Sequence, residues 1–341
     1  MINQTILENS HRKLMPKLFA CIHDEQIQKV KEYIKIYTQH PFAGTETGAI
    51  LEEAASSAGK MLRPRLLLMA GAFGKHNGDT QERLYKLAAI VEIAHSASLI
   101  HDDVIDNASF RRGNPSIQSK YGKSAAIYAG DFLMSRISSH VMREGLTHAG
   151  SILFQAVAEM CAGEIGQARC RYKETVTLDE YLHNIGGKTV ALFRACCRMG
   201  AVESGCSEDL ADRLEAFGEC LGYMFQIRDD LLDFTPSRTL IGKNTHQDVR
   251  EGIYTLPILL TLENPAGRQA LSPYLKRNRE GDLSDNDMQQ IYAILTAYDG
   301  ILGAWEYIHN YQKQADSILN SLPPADVLPQ LKSLIRKLGT A

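Results

Sequence analysis

Apolar residues recur at helical spacing over long stretches of this chain. The clearest runs are Leu133, Ile137 and Val141, and later Leu214, Phe217, Leu221 and Met224. All eleven prolines fall outside residues 116–235, and few runs alternate with the period of two that a half-buried strand requires. The pattern predicts an all-α protein in which several helices pass through the interior.

Short clusters of Gly, Pro and Asn mark the expected breaks between helices. These clusters lie at residues 41–48, 107–113, 145–150, 186–187, 236–242 and 263–287. None of them is a long flexible linker, and the chain has no repeat at a solenoid period. We therefore expect a single large helical domain over residues 1–341, with the helices of about the first 50 residues at its periphery.

Composition excludes several classes of protein. Hydrophobic residues make up 44% and charged residues 23% of the chain, and the formal net charge of −3 provides no basic field for a nucleic acid. No apolar run is long enough to span a membrane, and the N-terminus does not open a signal peptide. The seven cysteines form no Cys-x-x-Cys pair, so we expect reduced thiols in a cytoplasmic protein.

The motif Asp-Asp-x-x-Asp occurs twice, at residues 102–106 and 229–233. On a helix its first and last aspartates point from one face, about one turn or ~6 Å apart. Carboxylates this close repel each other, so a cation is expected to offset the charge. Magnesium suits the position because it binds one or two carboxylates and completes its shell with phosphate oxygens and water.

The neighbours of each acidic motif distinguish it from an ordinary solvated helix end. They are Leu99, Ile100, Val104 and Ile105 in the first motif, and Leu231, Leu232 and Phe234 in the second. Acids embedded in apolar helix sequence need a partner or a metal. A single motif would be a solvated helix end about as often as a site, but two copies suggest two helices that face each other across a cavity. Magnesium that links both motifs to a diphosphate is the simplest hypothesis.

Basic residues close to glycines are candidates for holding the same anion. They are Lys60, Arg63, Arg111, Arg112, Lys188 and Lys243. Each of them alone is more often a surface cation. Together with the acidic motifs they outline one diphosphate held through metal and another held directly by arginine and lysine.

With these motifs in this order, the chain resembles the trans-prenyltransferases, also called isoprenyl diphosphate synthases. The resemblance runs from about Gly59 to Pro257 and, more weakly, to the C-terminus. Arg-Arg-Gly after the first acidic motif and Gln226 before the second make the set specific. The likeness is greatest with the catalytic subunit of the bacterial heptaprenyl-type synthases, in residues 160–165 and 233–235.

The resemblance implies an all-α bundle around a deep central cavity, usually in a dimer. It implies condensation of isopentenyl diphosphate with an allylic diphosphate, with about three magnesium ions as cofactors. It leaves open a homodimer or a heteromer with a small subunit. It also implies that the protein meets a membrane only through its product.

The resemblance assigns roles to individual residues. Expected to bind magnesium directly are Asp102, Asp106 and Asp229, with Asp103, Asp230 and Asp233 in support. Expected to hold the allylic diphosphate are Arg111, Lys188 and Lys243. Expected to hold isopentenyl diphosphate are Lys60, Arg63, His95 and Arg112. Expected near the reacting carbons are Thr189 and Gln226.

The chain departs from the family pattern in three places. Residues 252–257, which include Tyr254, lack the lysine of the usual Gly-Lys-x-Thr-x-Pro. Cys170 replaces an acid that many relatives carry, and Ala58 replaces a glycine before Lys60. The first change removes one expected phosphate contact, and the second removes a helper of the metal site.

Small residues before the first acidic motif bear on product length. Ala94, Ala97 and Ser98 stand where short-chain members of the family carry large aromatics that close the cavity. The resemblance therefore implies an open cavity and a polyprenyl product of about C30 to C40. A deeper floor is then expected from Phe132, Met134 or Ile137. Close helix packing is the competing explanation of the small residues, and a farnesyl or geranylgeranyl product is the alternative function.

Three other functions are less favoured. His101 and Asp102 could belong to a metal-dependent phosphohydrolase, with His95 and His140 as further ligands, but residues 229–233 would then have no role. A terpene cyclase would usually carry a different second metal motif. A non-catalytic subunit of a prenyltransferase complex would not need both acidic motifs and the basic residues intact.

Overall fold

A computed structural model describes residues 24–56, 61–75, 77–111, 113–234 and 247–340, and these residues are mainly helical. The helices before the second half of the chain are α1 (Asp24–Tyr37), α2 (Glu46–Ser56), α3 (Leu62–Gly71), α4 (Gly78–Ile105), α5 (Ile117–Tyr121), α6 (Lys123–Arg143), α7 (Thr147–Cys170) and α8 (Leu178–Ile185). The remaining helices are α9 (Ala191–Glu203), α10 (Glu208–Asp233), α11 (Gln247–Arg250), α12 (Leu256–Glu263), α13 (Pro265–Arg279), α14 (Asp285–Ala297), α15 (Gly300–Ser321) and α16 (Leu328–Leu338). The all-α prediction is confirmed.

Two short elements interrupt the α-helical pattern. A π-helical turn, Gly186–Val190, joins α8 directly to α9. The two-residue strands β1 (Phe110–Arg111) and β2 (Asn114–Pro115) pair antiparallel in a hairpin after α4. The hairpin turns the chain back at the end of α4, where the first acidic motif lies.

Local sequence signals explain where several helices begin. Asn77 caps α4 by accepting a hydrogen bond from the Thr80 N–H at 2.8 Å. Thr177 and Glu180 form a capping box at the start of α8. Ser207 caps α10 through the Leu210 N–H. Each cap satisfies backbone donors that the first turn of a helix leaves without partners.

The two helices that end at the acidic motifs, α4 and α10, pack into the interior. Residues 87–94 of α4 are all buried, which requires neighbours on every side of the helix. α4 packs against α1, α3 and α6, and α10 packs against α9 and α15. Both helices end at an acidic motif, so the core fixes where the aspartates lie. No helix within the described ranges is both long and apolar enough to cross a membrane.

One of the expected breaks is wrong, and a second is only partly right. Gly186 and Gly187 do not end a helix; they open the π-helical turn. Glycine at position 187 permits a close approach to α7, since an added Cβ would lie 2.5 Å from the Glu159 carbonyl oxygen. Most of residues 263–287 is the helix α13, whose first position is Pro265 and whose cap is Asn264. Proline in a first helical turn costs no hydrogen bond, so here it begins a helix.

Candidate active site

The first acidic motif lies at the C-terminal end of α4. Asp102 is half-buried, Asp103 is buried, and Asp106 is exposed at the position that caps the helix. The Asp103 carboxylate accepts a hydrogen bond from Arg111 Nε at 2.7 Å. Asp103 therefore faces the hairpin and its arginine, whereas Asp102 and Asp106 share the other side of the last turn.

The second acidic motif lies at the C-terminal end of α10 and is held by hydrogen bonds. Asp230 is buried; one carboxylate oxygen accepts from the Tyr181 hydroxyl at 2.6 Å, and the other accepts from Gln226 Nε2 at 2.8 Å. The Thr189 hydroxyl in turn donates to Gln226 Oε1 at 2.6 Å. Thr189, Gln226 and Asp230 thus form one continuous chain of hydrogen bonds that ends at Tyr181.

Asp233 closes the same end of α10. Its side chain is buried, and its Oδ2 accepts a hydrogen bond from the Asp248 backbone N–H at 3.2 Å. Asp229 is exposed. Asp229 is therefore the member of the second motif that is most accessible to a ligand.

Lys188 lies on the π-helical turn, next to Thr189, which donates a hydrogen bond to Gln226 on α10. Its Nζ donates to Gln167 at 2.8 Å and forms an ion pair with Glu164 at 3.0 Å. Burial alone would lower the pKa of Lys188, but Glu164 and the aspartates at 102 and 106 outweigh burial and raise it. The same ammonium group opposes the rise in the pKa of Asp248 beside the second motif. The lysine predicted to hold the allylic diphosphate thus interacts with the acids of the first motif and with Asp248, whose backbone N–H donates to Asp233 of the second.

Several carboxyl groups of the site have raised pKa values, which a bound cation would lower. Burial and then Glu164 raise the pKa of Asp102 to about 7. Burial, together with its neighbours in the motif, raises the pKa of Asp230 to about 7 despite the hydrogen bonds from Tyr181 and Gln226. Burial and the three aspartates of the second motif raise the pKa of Asp248 strongly. Such a concentration of buried acid favours binding of a positive ion.

The donors suit magnesium in kind. They are hard carboxylate oxygens on two helix ends, as magnesium prefers. Within the described parts of the chain, no three His, Cys, Asp or Glu side chains converge into a complete metal site. Magnesium in phosphate-transferring sites usually binds one or two carboxylates and completes its shell with phosphate oxygens and water.

Arg63 and His95, predicted to hold isopentenyl diphosphate, lie together. Arg63 Nη1 is 2.8 Å from His95 Nε2, and the guanidinium stacks over Phe193 with its Cζ 5.3 Å from the ring centre. Because arginine can only donate, His95 Nε2 accepts in this geometry. The three helices α3, α4 and α9 therefore build one basic position. Lys60, Arg112 and Lys243 lie outside the described residues.

The three histidines considered as ligands of a phosphohydrolase each contact a different neighbour. His101 Nε2 lies 3.2 Å from the Ile127 carbonyl oxygen on α6. His140 stacks on Tyr37 with ring centres 3.9 Å apart. Together with the pairing of His95 and Arg63, these contacts leave no cluster of histidines around Asp102, which disfavours the phosphohydrolase.

The residues predicted to set product length lie on α4 and α6. Ala94 and Ala97 are buried, and Ser98 is half-buried. Ala94, Ser98 and Asp102 are spaced four residues apart and so share one face of α4. Phe132 and Met134 are half-buried on α6, and the Phe132 ring packs edge-on to His40 with centres 6.3 Å apart. Phe132 is thus directed toward the segment that follows α1.

Sequence reasoning missed three residues of this site. They are Tyr181, Asp248 and Arg171, whose Nη2 donates to Asp106 at 3.1 Å. Tyr181 precedes Lys188 by about two helical turns, so helical spacing could have placed it on the face of Lys188. Arg171 and Asp248 carry no local signal, because only the fold brings them to the aspartates.

Residues 45–295 match the family model described as polyprenyl synthetase. The matched segment contains both acidic motifs and most of the chain. The chain belongs to the polyprenyl synthetase family. It is therefore an enzyme of the prenyltransferase type, which transfers prenyl groups.

Known members of the polyprenyl synthetase family resemble this chain over most of its length. It is 34% identical to heptaprenyl diphosphate synthase component 2 of Geobacillus stearothermophilus, over 83% of this chain and 86% of that protein. A polyprenyl synthase from Caulobacter crescentus CB15, complexed with calcium and isoprenyl diphosphate, superposes with a TM-score of 0.85 at 27% identity, over 96% and 98% of the two chains. Geranylgeranyl pyrophosphate synthase from Lactobacillus brevis superposes with a TM-score of 0.83 at 30% identity, over 95% and 99%.

Proposed function

We propose that this enzyme is a magnesium-dependent trans-prenyltransferase that condenses isopentenyl diphosphate with an allylic diphosphate. The observation that carries the proposal is Lys188, whose ammonium group interacts with the aspartates of the first motif and with Asp248 beside the second. A diphosphate bound there would meet carboxylates that bind metal and a cation that binds oxygen directly. The calcium and isoprenyl diphosphate in the Caulobacter relative support the same ligand classes.

The proposed reaction starts with loss of the allylic diphosphate. When bound, magnesium supplies positive charge that stabilises the departing anion. Lys188 and Arg111 add fixed positive charge on the same oxygens, so the allylic carbon–oxygen bond breaks and the diphosphate leaves with the electron pair. Thr189 and Gln226 are joined by a hydrogen bond from the threonine hydroxyl to the glutamine side-chain oxygen. They are proposed to face the reacting carbons.

The second part of the proposed reaction forms the new carbon–carbon bond. Arg63 and His95 hold isopentenyl diphosphate so that its double bond attacks the allylic carbon. The carbocation that results loses a proton, and the released diphosphate is the proposed acceptor. An apolar cavity would keep water from capturing either cation.

We propose a long product, of about C30 to C40. Support comes from the small residues Ala94, Ala97 and Ser98 before the first motif, and from the relative named as a heptaprenyl synthase. The geranylgeranyl synthase from Lactobacillus brevis is similarly close in structure and stands for the short-chain alternative.

The proposal includes a homodimer or a heteromer with a small subunit. The name of the Geobacillus relative, component 2, supports a complex with another subunit. A cytoplasmic location is also proposed, since the cysteines between residues 161 and 220 are free thiols.

The test of the proposed function is a product assay. The purified chain is incubated with magnesium, isopentenyl diphosphate and, separately, geranyl, farnesyl or geranylgeranyl diphosphate, and product length is read by mass spectrometry. We expect a long polyprenyl diphosphate that is lost in Asp102→Ala. A product that ends at farnesyl or geranylgeranyl would contradict the long-chain proposal alone. Absence of product with every primer, and again after addition of a small partner subunit, would contradict the proposed reaction.

A further inference from the structure

Arg171 is a basic residue beside the site that none of the expected roles uses. It follows the last residue of α7, where the backbone leaves the helix. Its Nη2 donates to Asp106 Oδ1 at 3.1 Å and lies 3.8 Å from Glu251. About a third of the side chain is exposed to solvent. Arg171 therefore reaches the first acidic motif from the open side.

The backbone around Arg171 is firmly anchored. The Tyr172 N–H donates to the Gly252 carbonyl oxygen at 2.7 Å, and Arg279 donates to the Tyr172 carbonyl oxygen at 2.8 Å. The Tyr172 ring lies so close to Gly252 that an added Cβ there would come within 2.5 Å of it. These contacts distinguish Arg171 from an arginine on a free surface, since its direction toward Asp106 is built into the fold.

Of the two donors on one edge of the Arg171 guanidinium, one has a hydrogen-bond acceptor among the described residues and the other does not. Nε and Nη2 form one edge of the guanidinium, which matches two oxygens of a carboxylate or a phosphate. Nη2 is on Asp106, whereas Nε is buried without a hydrogen-bond acceptor among the described residues. A buried donor without a partner is costly, and a ligand oxygen would satisfy it.

Two other cations of the site are paired in the same way. Arg111 is on Asp103, and Lys188 is on Glu164. In each pair a basic side chain predicted to bind diphosphate is held by a carboxylate of the site. Arg171 and Asp106 are the third such pair. Metal binding to Asp106 would withdraw its oxygen from Arg171 and free the guanidinium for an anion that arrives with the metal.

We propose that Arg171 is a further diphosphate-binding residue, which holds Asp106 until metal and substrate arrive. This inference rests on the proposed function, since it takes Asp106 as a magnesium ligand and diphosphate as the anion. It makes a distinctive prediction: Arg171 competes with metal for Asp106 in the absence of diphosphate but contributes to binding once diphosphate is present.

The experiment compares Arg171→Gln with the wild-type chain and with Arg169→Gln. Arg169 is an exposed arginine two residues earlier on α7 and serves as the matched control. Calorimetry measures the affinity of each protein for Mn²⁺ alone, and then for inorganic pyrophosphate in the presence of Mg²⁺. Steady-state assays measure KM for the allylic diphosphate. Thermal melting verifies that each variant is folded.

For Arg171→Gln we expect pyrophosphate affinity to fall about tenfold or more, the amount that one charged hydrogen-bonded contact supplies. KM for the allylic substrate should rise by a similar factor, while Mn²⁺ alone binds as tightly as before or more tightly. The inference is overturned if pyrophosphate affinity equals that of Arg169→Gln. It is also overturned if the affinity for Mn²⁺ alone falls by the same factor, because Arg171 then only positions Asp106.

A second variant covers the case in which Arg171→Gln does not fold. Arg171→Lys keeps the charge but loses the two-pronged edge, so we expect a smaller loss of pyrophosphate affinity. Wild-type affinity in Arg171→Lys would overturn the use of Nε. A wild-type chain that binds Mg²⁺ and pyrophosphate but forms no product would contradict the proposed function. The pyrophosphate affinities of the variants would still decide the role of Arg171.

Discussion

Asp102 is a carboxyl group that burial and Glu164 hold close to neutrality, with a pKa of about 7. The unfolded chain releases this proton near pH 4. Between about pH 4 and 7 the folded protein therefore binds more protons than the unfolded chain. In this window, Asp102 lowers the free energy of unfolding as the pH rises, and above it the contribution is constant. A metal ion that binds the carboxylate would reverse this penalty.

We predict that metal affinity without substrate rises with pH up to about 7 and then levels off, since metal binding must release the Asp102 proton. Calorimetric titration with magnesium on both sides of this pH measures the effect. Asp102→Asn is the control and should bind weakly at every pH. A wild-type affinity that does not change across the same range would contradict the assignment of Asp102 as a ligand.

Tyr181 is predicted to hold the second acidic motif in place. Tyr181→Phe removes the hydroxyl that donates to Asp230 at 2.6 Å. A hydrogen bond to a charged group is worth about 1.5–3 kcal/mol, so stability should fall by that amount. The rate at limiting magnesium should fall more than the rate at saturating magnesium, because Asp230 is proposed to support the metal site.

The matched control for Tyr181 is Tyr223→Phe. The Tyr223 hydroxyl makes only a 3.5 Å contact with the Leu182 carbonyl oxygen, and its ring stacks on Tyr311. Tyr223→Phe should leave the magnesium dependence unchanged. Equal magnesium dependence in the Tyr181 and Tyr223 variants would show that the Tyr181 hydroxyl is only structural.

Individual site residues differ in how far the sequence predicts them. The aspartates at 102 and 106 are recognisable because helical spacing alone places them on one face. Arg171 lies 65 residues from Asp106 and Tyr181 lies 49 residues from Asp230. No local period connects such pairs, so only the fold, which brings the end of α7 to the end of α4 and α8 to α10, places them together.

At the scale of elements, the π-helical turn Gly186–Val190 decides where Lys188 and Thr189 point. Gly187 lies against α7, and an added Cβ would come within 2.5 Å of the Glu159 carbonyl oxygen. A glycine pair usually signals the end of a helix, which is why the sequence predicted a break. The requirement is instead a close approach of two backbones, which depends on the partner helix.

Gly187→Ala should therefore destabilise the protein by about 1–3 kcal/mol and reduce activity, since the π-helical turn must move and take Lys188 with it. Thermal and urea unfolding measure the first effect. Gly78→Ala is the control, because Gly78 begins α4 with no atom near the added Cβ and should change stability by less than about 1 kcal/mol. Equal stability of the two variants would contradict the close packing of α7 on the turn.

The small residues of α4 lead to a prediction about product length. Ser98→Phe places an aromatic ring one turn before Asp102 on the same face, and we expect the product to shorten toward farnesyl or geranylgeranyl. Ala97→Phe should act in the same direction, but Ala97 is fully buried, so its cost in stability should be larger. Mass spectrometry of the products measures both.

Ser135→Phe on the exposed side of α6 is the control for product length. It should give the wild-type product. If folded and active Ser98→Phe and Ala97→Phe also give the wild-type product, this face of α4 does not line the path of the growing chain. The small residues would then serve close packing with neighbouring helices.

For the whole molecule, the helical fold follows from the sequence more readily than the site does. The proline-free apolar periodicity of residues 116–235 requires long helices, and burial on all sides of residues 87–94 places α4 in the interior. The C-terminal ends of α4 and α10 are linked through Lys188, whose turn contacts α10 and whose charge interacts with the aspartates of α4. Their meeting depends on the connections through α6, α7 and α9, which the spacing of aspartates along the chain does not specify.

The central claim is that the acidic motifs at these two helix ends act on one diphosphate. It is tested most directly by the rate of pyrophosphate release from an allylic diphosphate and isopentenyl diphosphate, in wild type, Asp102→Asn and Asp229→Asn. We predict that each variant remains folded and loses a factor of about a thousand or more in kcat, because each loses a carboxylate proposed to hold the magnesium whose positive charge stabilises the leaving group. A folded variant at either position with a nearly wild-type kcat would contradict the claim.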